Sequence, residues 1–243
     1  MKKIHNPSIL SHFCLNIFSE VKNSAFISTK GKNMKNLKLM LVLAMCSIGM
    51  SAQAMELGGS VSLGSNYIFR GVSQNAGNAA VSGELHAVHE GFFAQVWASQ
   101  VDYGSDIELE YDLTIAKNFK LGEDLKVGVA YIDYNYSSLT GFTDFEESAL
   151  DVEEVGFQVE YKAIAARYYK GLDEAPDYME LGVDLFGVAD LTVGDFDTVG
   201  RHYMISKTVD VEGVDATFGY RQFEGEDGIA DEKSAVVMLT KRF

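Results

Sequence analysis

From residue 55 to the end of the chain, apolar and polar side chains alternate with a period of two. Asp106 to Ile115 is the clearest stretch. Ile107, Leu109, Tyr111, Leu113 and Ile115 fall on one face, and Asp106, Glu108, Glu110 and Asp112 on the other. A helix would mix these two sets around its surface, whereas a strand separates them. The first such run is longer: Leu57, Gly59, Val61, Leu63, Ser65, Tyr67 and Phe69 alternate with Glu56, Gly58, Ser60, Ser62, Gly64, Asn66 and Ile68. Further runs cover 79–89, 92–103, 124–136, 151–162, 164–170, 177–187, 189–196, 201–209, 213–223 and 233–243. The expectation is an all-β chain of about twelve antiparallel strands.

The connections add an asymmetry. Even-numbered ones are tight, as at His89-Glu90-Gly91, Lys162-Ala163, Gly187-Val188 and Asp210-Val211-Glu212, with Phe119 to Glu123 slightly longer. Several odd-numbered ones are longer and acidic: Ser137 to Leu150, Gly171 to Pro176 and Glu224 to Glu232, although Gly104-Ser105 is short. Short turns at one end and long loops at the other are the habit of bacterial outer-membrane barrels. An even number of strands places both termini at the same end.

Residues 1–54 read differently. Met34-Lys35-Asn36-Leu37-Lys38 is a basic start, Leu39 to Met50 is an apolar run, and Ser51-Ala52-Gln53-Ala54 is a small-x-small cleavage signal. These are the parts of a Sec-type signal peptide, with Met55 as the expected mature N-terminus. The run is too short to span a bilayer, which takes about twenty residues. Cys46 follows Met45, where a lipoprotein would need a small residue. Residues 1–33 carry no sustained period and read as an upstream extension, with Met34 the start. The expected organisation is therefore 1–33 extension, 34–54 signal peptide and 55–243 barrel.

Composition narrows the function classes. The first 54 residues hold seven of the 20 Lys/Arg and one of the 35 acids, which leaves 13 basic and 34 acidic residues after them, a net charge of −21. Such a chain repels phosphate backbones, so no nucleic-acid partner is expected. All 12 tyrosines and 12 of the 15 phenylalanines lie after residue 54, which argues against disorder despite the acidity. Both cysteines, Cys14 and Cys46, precede residue 55, so the expected mature chain has no disulfide and no cysteine-ligated zinc site.

Alternation alone does not say which face meets lipid, since a soluble sandwich alternates too. Three features favour a membrane barrel. The polar face is rich in Gly, Ala and Ser, which suit a confined lumen. Tyrosine and phenylalanine cluster near strand ends, at Tyr67/Phe69, Tyr103, Tyr131/Tyr134/Tyr136 and Tyr168/Tyr169, as interfacial aromatics do. The last strand puts Ala235, Val237, Leu239, Lys241 and Phe243 on one face and ends on the aromatic. That ending resembles the signal read by the β-barrel assembly machinery. Lys241 stands where an apolar residue is usual, and a lysine there can snorkel to the interface. In hydrocarbon every backbone group must be paired, which a sheet achieves only by closing.

The segment Ser65 to Gln74 reads S-x-Y-x-F-R-G-x-S-Q, Gly83-Glu84-Leu85 follows as G-x-L, and Gly91 to Ser99 as G-F-x-A-x-x-W-A-S. In these motifs, in the acidic strand around Ile107 to Leu113 and in the terminal Phe243, the chain resembles the TorF-family porins of proteobacteria (the Gcw_chp family). The resemblance covers nearly all of 55–243. It implies a barrel with a channel role, makes Tyr67, Phe69, Arg70, Gly71, Ser73 and Gln74 the family motif, and brings no catalytic residues.

The candidate pore-lining residues are Arg70, Glu84, Glu108, Glu110, Asp112, Glu154, Glu160, Glu180 and Asp184, with Lys126 and Arg167 the other basic groups on the polar face. Arg70 reads either as a lumen cation facing Glu108, Glu110 and Asp112 across a constriction, or as an ion pair that holds the lumen or orders the first loop. The acidic stripe sets cation preference or simply hydrates the wall. His86 and His89 near Glu84 and Glu90, with His202, have no spacing that fixes a metal site, and solvated or paired histidines are the simpler reading. Ser and His occur without a motif that links them, so no enzyme and no cofactor are expected. Gly58-Gly59 lacks the helix that phosphate binding requires, and reads as a place where the strand bends.

The function these readings favour is passive passage of small polar solutes or cations across the outer membrane of a Gram-negative bacterium, with membrane lipid and the assembly machinery as partners. The rival is a structural or adhesive barrel filled by its own side chains. Twelve strands lie between eight-stranded barrels, which are filled, and sixteen-stranded porins, which conduct.

Overall fold

A computed structural model describes residues 55–104, 106–138 and 151–243. The expected signal peptide, the upstream extension and most of the loop from Ser137 to Leu150 lie outside these residues. Twelve strands form one closed barrel: β1 (Glu56–Gly64), β4 (Ala80–His89), β5 (Phe92–Gln100), β6 (Leu109–Leu121), β7 (Leu125–Ser137) and β8 (Asp151–Tyr161), then β9 (Ile164–Gly171), β10 (Tyr178–Asp184), β11 (Asp190–Phe196), β12 (Gly200–Val211), β13 (Val214–Gly225) and β14 (Glu232–Arg242). Two short strands, β2 (Ile68–Phe69) and β3 (Val72–Ser73), make a separate hairpin. Every barrel strand pairs antiparallel with its neighbours in sequence. Closure comes from β1, which pairs with β4 (Leu63 opposite Val81) and with β14 (Leu63 opposite Leu239). Reciprocal backbone hydrogen bonds of 3.0 Å between Gly59 and Phe243 extend that seam to the last residue.

Residues directly opposite in an antiparallel pair share a face, so the register carries each face around the barrel. Leu85 faces Val96, and Val96 faces Leu113. Val129 faces Phe157, Leu181 faces Val193, Val193 faces Tyr203, and Phe218 faces Val237. These side chains point outward and, apart from half-buried Leu113, are exposed, Leu85 at 64%, as is Leu57 of β1 at 69%. Such an apolar exterior fits hydrocarbon rather than water. Lys241 shares this outer face, and its ammonium reaches the Gly213 carbonyl at 2.8 Å, at the end of the barrel where the turns lie. The inner face of the same strands carries Ser60, Ser62, Ser82, Ser99 and Thr240.

The turn at Glu90-Gly91 lies where the sequence places it, the one expected at Asp210-Val211-Glu212 falls at Glu212-Gly213, and the connection expected at Gly187-Val188 runs from Leu185 to Ala189 because β10 already ends at Asp184. Glu90-Gly91 and Glu212-Gly213 both have positive φ at two successive residues (47° and 80°, 53° and 78°). That is the backbone of a two-residue turn matched to strand twist.

Two expectations need correction. The first strand does not run to Phe69. It ends at Gly64, and β2–β3 turns back through Arg70 and Gly71, both at positive φ (48° and 84°). Tyr67 and Phe69 keep the spacing of the first strand's apolar face, while Ile68 puts an apolar side chain on the polar face where the chain turns. Likewise β6 begins at Leu109 rather than Asp106 and runs on to Leu121. The second correction concerns the aromatics. Tyr67, Phe69, Tyr103, Tyr134 and Tyr136 do not sit at a membrane interface but pack together inside the barrel with Val101 and Ile132.

Candidate functional site

The β2–β3 hairpin enters the lumen, and its tip touches the wall on most sides. Its backbone is set by local polar contacts. Gln74 N–H donates to the Tyr67 carbonyl at 2.9 Å, Ser73 Oγ donates to Asn66 Oδ1 at 2.9 Å, and Tyr67 N–H donates to Asn75 Oδ1 at 3.1 Å. The wall holds it as well, since the Tyr103 hydroxyl donates to Gln74 Oε1 at 2.7 Å. The Tyr67 ring lies 5.2 Å from Trp97 of β5, and Phe69 meets Tyr134 of β7 edge-on at 5.6 Å.

Arg70 at the tip is nearly sealed from solvent. Its Nη1 and Nη2 donate to Glu154 Oε1 and Oε2 of β8, each at 2.5 Å, and the two side chains are 6% and 3% exposed. The Tyr134 hydroxyl donates to Glu154 Oε2 at 3.0 Å. Around the guanidinium, Cζ lies 4.6 Å from the Phe69 ring centroid, 4.9 Å from Tyr169, 4.3 Å from Tyr178 and 5.2 Å from Phe196. A planar cation is thus forked by one carboxylate and boxed by four rings, the geometry in which guanidinium binds best.

Gly71 can only be glycine here. It has φ of 84°, and an added Cβ would run into the His202 side chain and lie 3.1 Å from Phe223. Its carbonyl accepts from Arg221 Nη1, while Arg221 Nη2 donates to Glu232 at 2.5 Å and Nε to Ser234 at 2.9 Å. A further chain runs along the wall. Arg167 Nη1 donates to Glu180 Oε1 at 2.5 Å, the Tyr178 hydroxyl donates to Glu180 Oε2 at 2.7 Å, and His202 Nε2 lies 2.7 Å from the same hydroxyl.

The nine candidate residues therefore separate by place. Arg70 and Glu154 form the fork. Glu110 and Asp112 sit on the neighbouring wall of β6, where Glu110 is fully buried and accepts from the Tyr136 hydroxyl at 3.0 Å. Asp112 Oδ1 is buried with no hydrogen-bond donor among the described residues. Glu84 accepts from Gln95 and lies 3.5 Å from His86 Nδ1. Glu180 pairs with Arg167, and Glu160 pairs with Lys126 at 3.1 Å near the turns. Glu108 is exposed ahead of β6, and exposed Asp184 caps its turn by accepting from Gly187 N–H at 2.5 Å. The stripe Glu108/Glu110/Asp112 is not the partner of Arg70, because the inward turn swings the guanidinium to Glu154. Sequence reading did not single out Arg221, Tyr178 or Phe196, and weighed His202 only as a metal ligand, because period two assigns a face but not a partner across the lumen.

Below the hairpin, on the side of the termini, lies a cavity of about 740 Å³. Ser62, Glu84, Trp97, Tyr169, Glu180 and Thr240 line it, with Arg70 at its roof. Above, the lumen is packed by the Tyr103/Tyr134/Tyr136 cluster and by Val72, Val199, Phe223 and Ile229. Among the described residues, no group of three or more His, Cys, Asp or Glu is placed to hold a metal ion.

Among solved structures the chain is similar to an outer membrane channel from Pseudomonas putida F1, at 9% identity and a TM-score of 0.31, covering 79% of this chain and 97% of that one. No curated protein matches it. The family model described as a bacterial protein of unknown function, Gcw_chp, matches residues 49–227, which take in the inward hairpin and eleven of the twelve barrel strands. On that match, this chain belongs to the Gcw_chp family.

Proposed function

We propose that the protein is an outer-membrane channel for small polar solutes or cations, closed in this structure by its β2–β3 hairpin. One observation carries the reading: a cavity of about 740 Å³, lined by aromatic and apolar groups together with serines, threonines and charged side chains, lies inside a closed, lipid-compatible barrel and ends at a plug made of the chain's own Arg70 turn. Beyond its own turn, the plug is held by side-chain contacts and by one backbone bond from the Asp102 N–H to the Gln74 carbonyl (2.9 Å), none of them part of the barrel ladder, so it can leave without opening the sheet. Export through the Sec pathway and insertion by the β-barrel assembly machinery complete the reading. The alternating last strand, whose Phe243 is exposed and paired by its backbone to Gly59, supports that reading.

A second reading has its own support. Phe223 is fully buried and packs with Val72, Val199 and Ile229, so hydrophobic contacts also hold the lumen shut. A structural or adhesive barrel would use such filling permanently. Planar-bilayer recording of wild type beside Arg70→Ala separates the two. Steady unitary currents, larger in the variant, are expected from a plugged channel. Silence from both folded proteins would leave the non-conducting barrel.

A further inference from the structure

The wall around Arg70 is a receptor in its own right. Of the groups that surround the guanidinium, only Phe69 belongs to the hairpin. Glu154, Tyr134, Tyr169, Tyr178 and Phe196 come from five consecutive barrel strands, so their backbones are held by the barrel ladder and not by the hairpin. Their positions are fixed independently of Arg70. Tyr178 is tied to Glu180 and His202 through its hydroxyl, and it meets Phe196 edge-on at 5.8 Å. The Tyr169 ring lies over Gly156, where a Cβ would come within 2.8 Å of it. Tyr169 and Tyr178 also line the cavity below, so a solute in the cavity reaches the cage directly.

We infer that this cage is a binding site for solutes bearing a guanidinium group, and that Arg70 occupies it as an internal surrogate that such a solute displaces. The chemistry selects the class. Two parallel N–H donors are needed to match both oxygens of Glu154, and a flat delocalised cation is needed to stack on the rings. A quaternary ammonium satisfies the rings but offers Glu154 no donor. A primary ammonium offers a point charge without the fork. The cavity volume falls in the range of small-molecule sites, about 300–1,000 Å³. A tethered group competes at an effective concentration in the millimolar range, so free solute displaces Arg70 only when abundant, which makes the plug responsive to its own cargo. The solute's route to the cage rests on the channel reading, whereas its binding does not.

The test uses the full-length barrel in detergent micelles and in planar bilayers, with methylguanidinium chloride as probe and tetramethylammonium chloride as control. In Arg70→Ala, methylguanidinium at millimolar concentration should raise the unfolding midpoint and change Trp97 fluorescence, and tetramethylammonium should do neither. Adding Glu154→Gln should weaken the response by at least about tenfold, because the charge-assisted fork is lost. In bilayers, the currents of Arg70→Ala should fall as methylguanidinium fills the cage. Arg70→Lys keeps a lumen cation without the fork, and serves if Arg70→Ala does not fold; there too methylguanidinium should stabilise and tetramethylammonium should not. Equal responses to the two cations, or a response that survives Glu154→Gln, would overturn the site. Silent bilayers with selective binding in micelles would sink the channel reading and leave the site standing.

Discussion

The guanidinium of Arg70 and the carboxylate of Glu154, 84 residues apart in sequence, meet in a two-bond fork of 2.5 Å at the centre of the barrel. Both groups are out of water, so the pair is costly to break from one side. Removing either partner from a buried pair leaves an uncompensated charge and costs about 3–5 kcal/mol, whereas removing both is much milder. Glu154→Gln and Arg70→Ala should each lower stability by about that amount, and the double variant by clearly less than the sum. Urea unfolding followed through Trp97, the chain's single tryptophan and a ring contact of Tyr67 in the hairpin, reads this directly. Additive losses would mean that the two side chains do not act as a pair.

Gly71→Ala tests the hairpin without removing a charge. The added methyl meets a left-handed backbone and the His202 side chain together. Strain at such a site costs about 1–3 kcal/mol, and the barrel ladder is not involved. The hairpin should loosen while the barrel stays folded, so that conductance rises and heat-modifiable gel migration is unchanged. Currents equal to wild type would show that the hairpin is not the closure.

Leu85 and Glu84 are successive residues on opposite faces of β4. Leu85 lies opposite Val96 on the outside, and Glu84 lies opposite Trp97 on the inside. Arginine on the lipid face near mid-membrane costs roughly 2–4 kcal/mol. Leu85→Arg should therefore destabilise the barrel in lipid by that order, and Glu84→Gln should be nearly neutral. The reverse ranking in a folding titration into vesicles would mean that the strand faces are inverted.

The barrel was legible because hydrocarbon imposes a strict rule on its outer face. Leu57, Val61 and Leu63 alternate with Ser60, Ser62 and Gly64, and the structure keeps that division. The hairpin was not read from the sequence, because Tyr67 and Phe69 continue the spacing of the first strand; what sets it apart is Ile68, apolar on the polar face, and the Arg70-Gly71 turn. Positive φ at a non-glycine residue leaves little trace in sequence. The motif residues Tyr67, Phe69, Arg70, Gly71, Ser73 and Gln74 each make a contact inside the lumen or the hairpin. What the motif did not carry was direction. Tyr103, Tyr134 and Tyr136 read as interfacial aromatics because alternation gives a face and not the medium that face meets. The partner of Arg70 was hidden for a related reason: Glu108, Glu110 and Asp112 form an acidic stripe on one face at the start of β6, but the fork is made by Glu154 of β8, two strands further round.

Selectivity depends on which carboxylates keep their charge free for ions. Pairing reduces the acidic excess that a plain count suggests: Glu154 is matched by Arg70, Glu180 by Arg167, Glu160 by Lys126 and Glu232 by Arg221. Of the pore-lining candidates, this leaves Glu84, Glu110 and Asp112 on the lumen wall, and exposed Glu108 and Asp184 at the strand ends, without a Lys or Arg ion pair among the described residues. Fixed negative charge in a confined lumen concentrates cations, and the effect is largest below an ionic strength of about 0.1 M. In the Arg70→Ala background, where the path is expected to be open and Glu154 unmatched, reversal potentials under a salt gradient should show cation preference. Replacing Glu84, Glu110 and Asp112 by Gln, Gln and Asn should reduce it. Glu160→Gln, which removes a carboxylate already matched by Lys126, should shift it little or toward anions. An anion-selective Arg70→Ala channel, or a triple variant with unchanged reversal potential, would show that ions pass along a wall other than β4–β6.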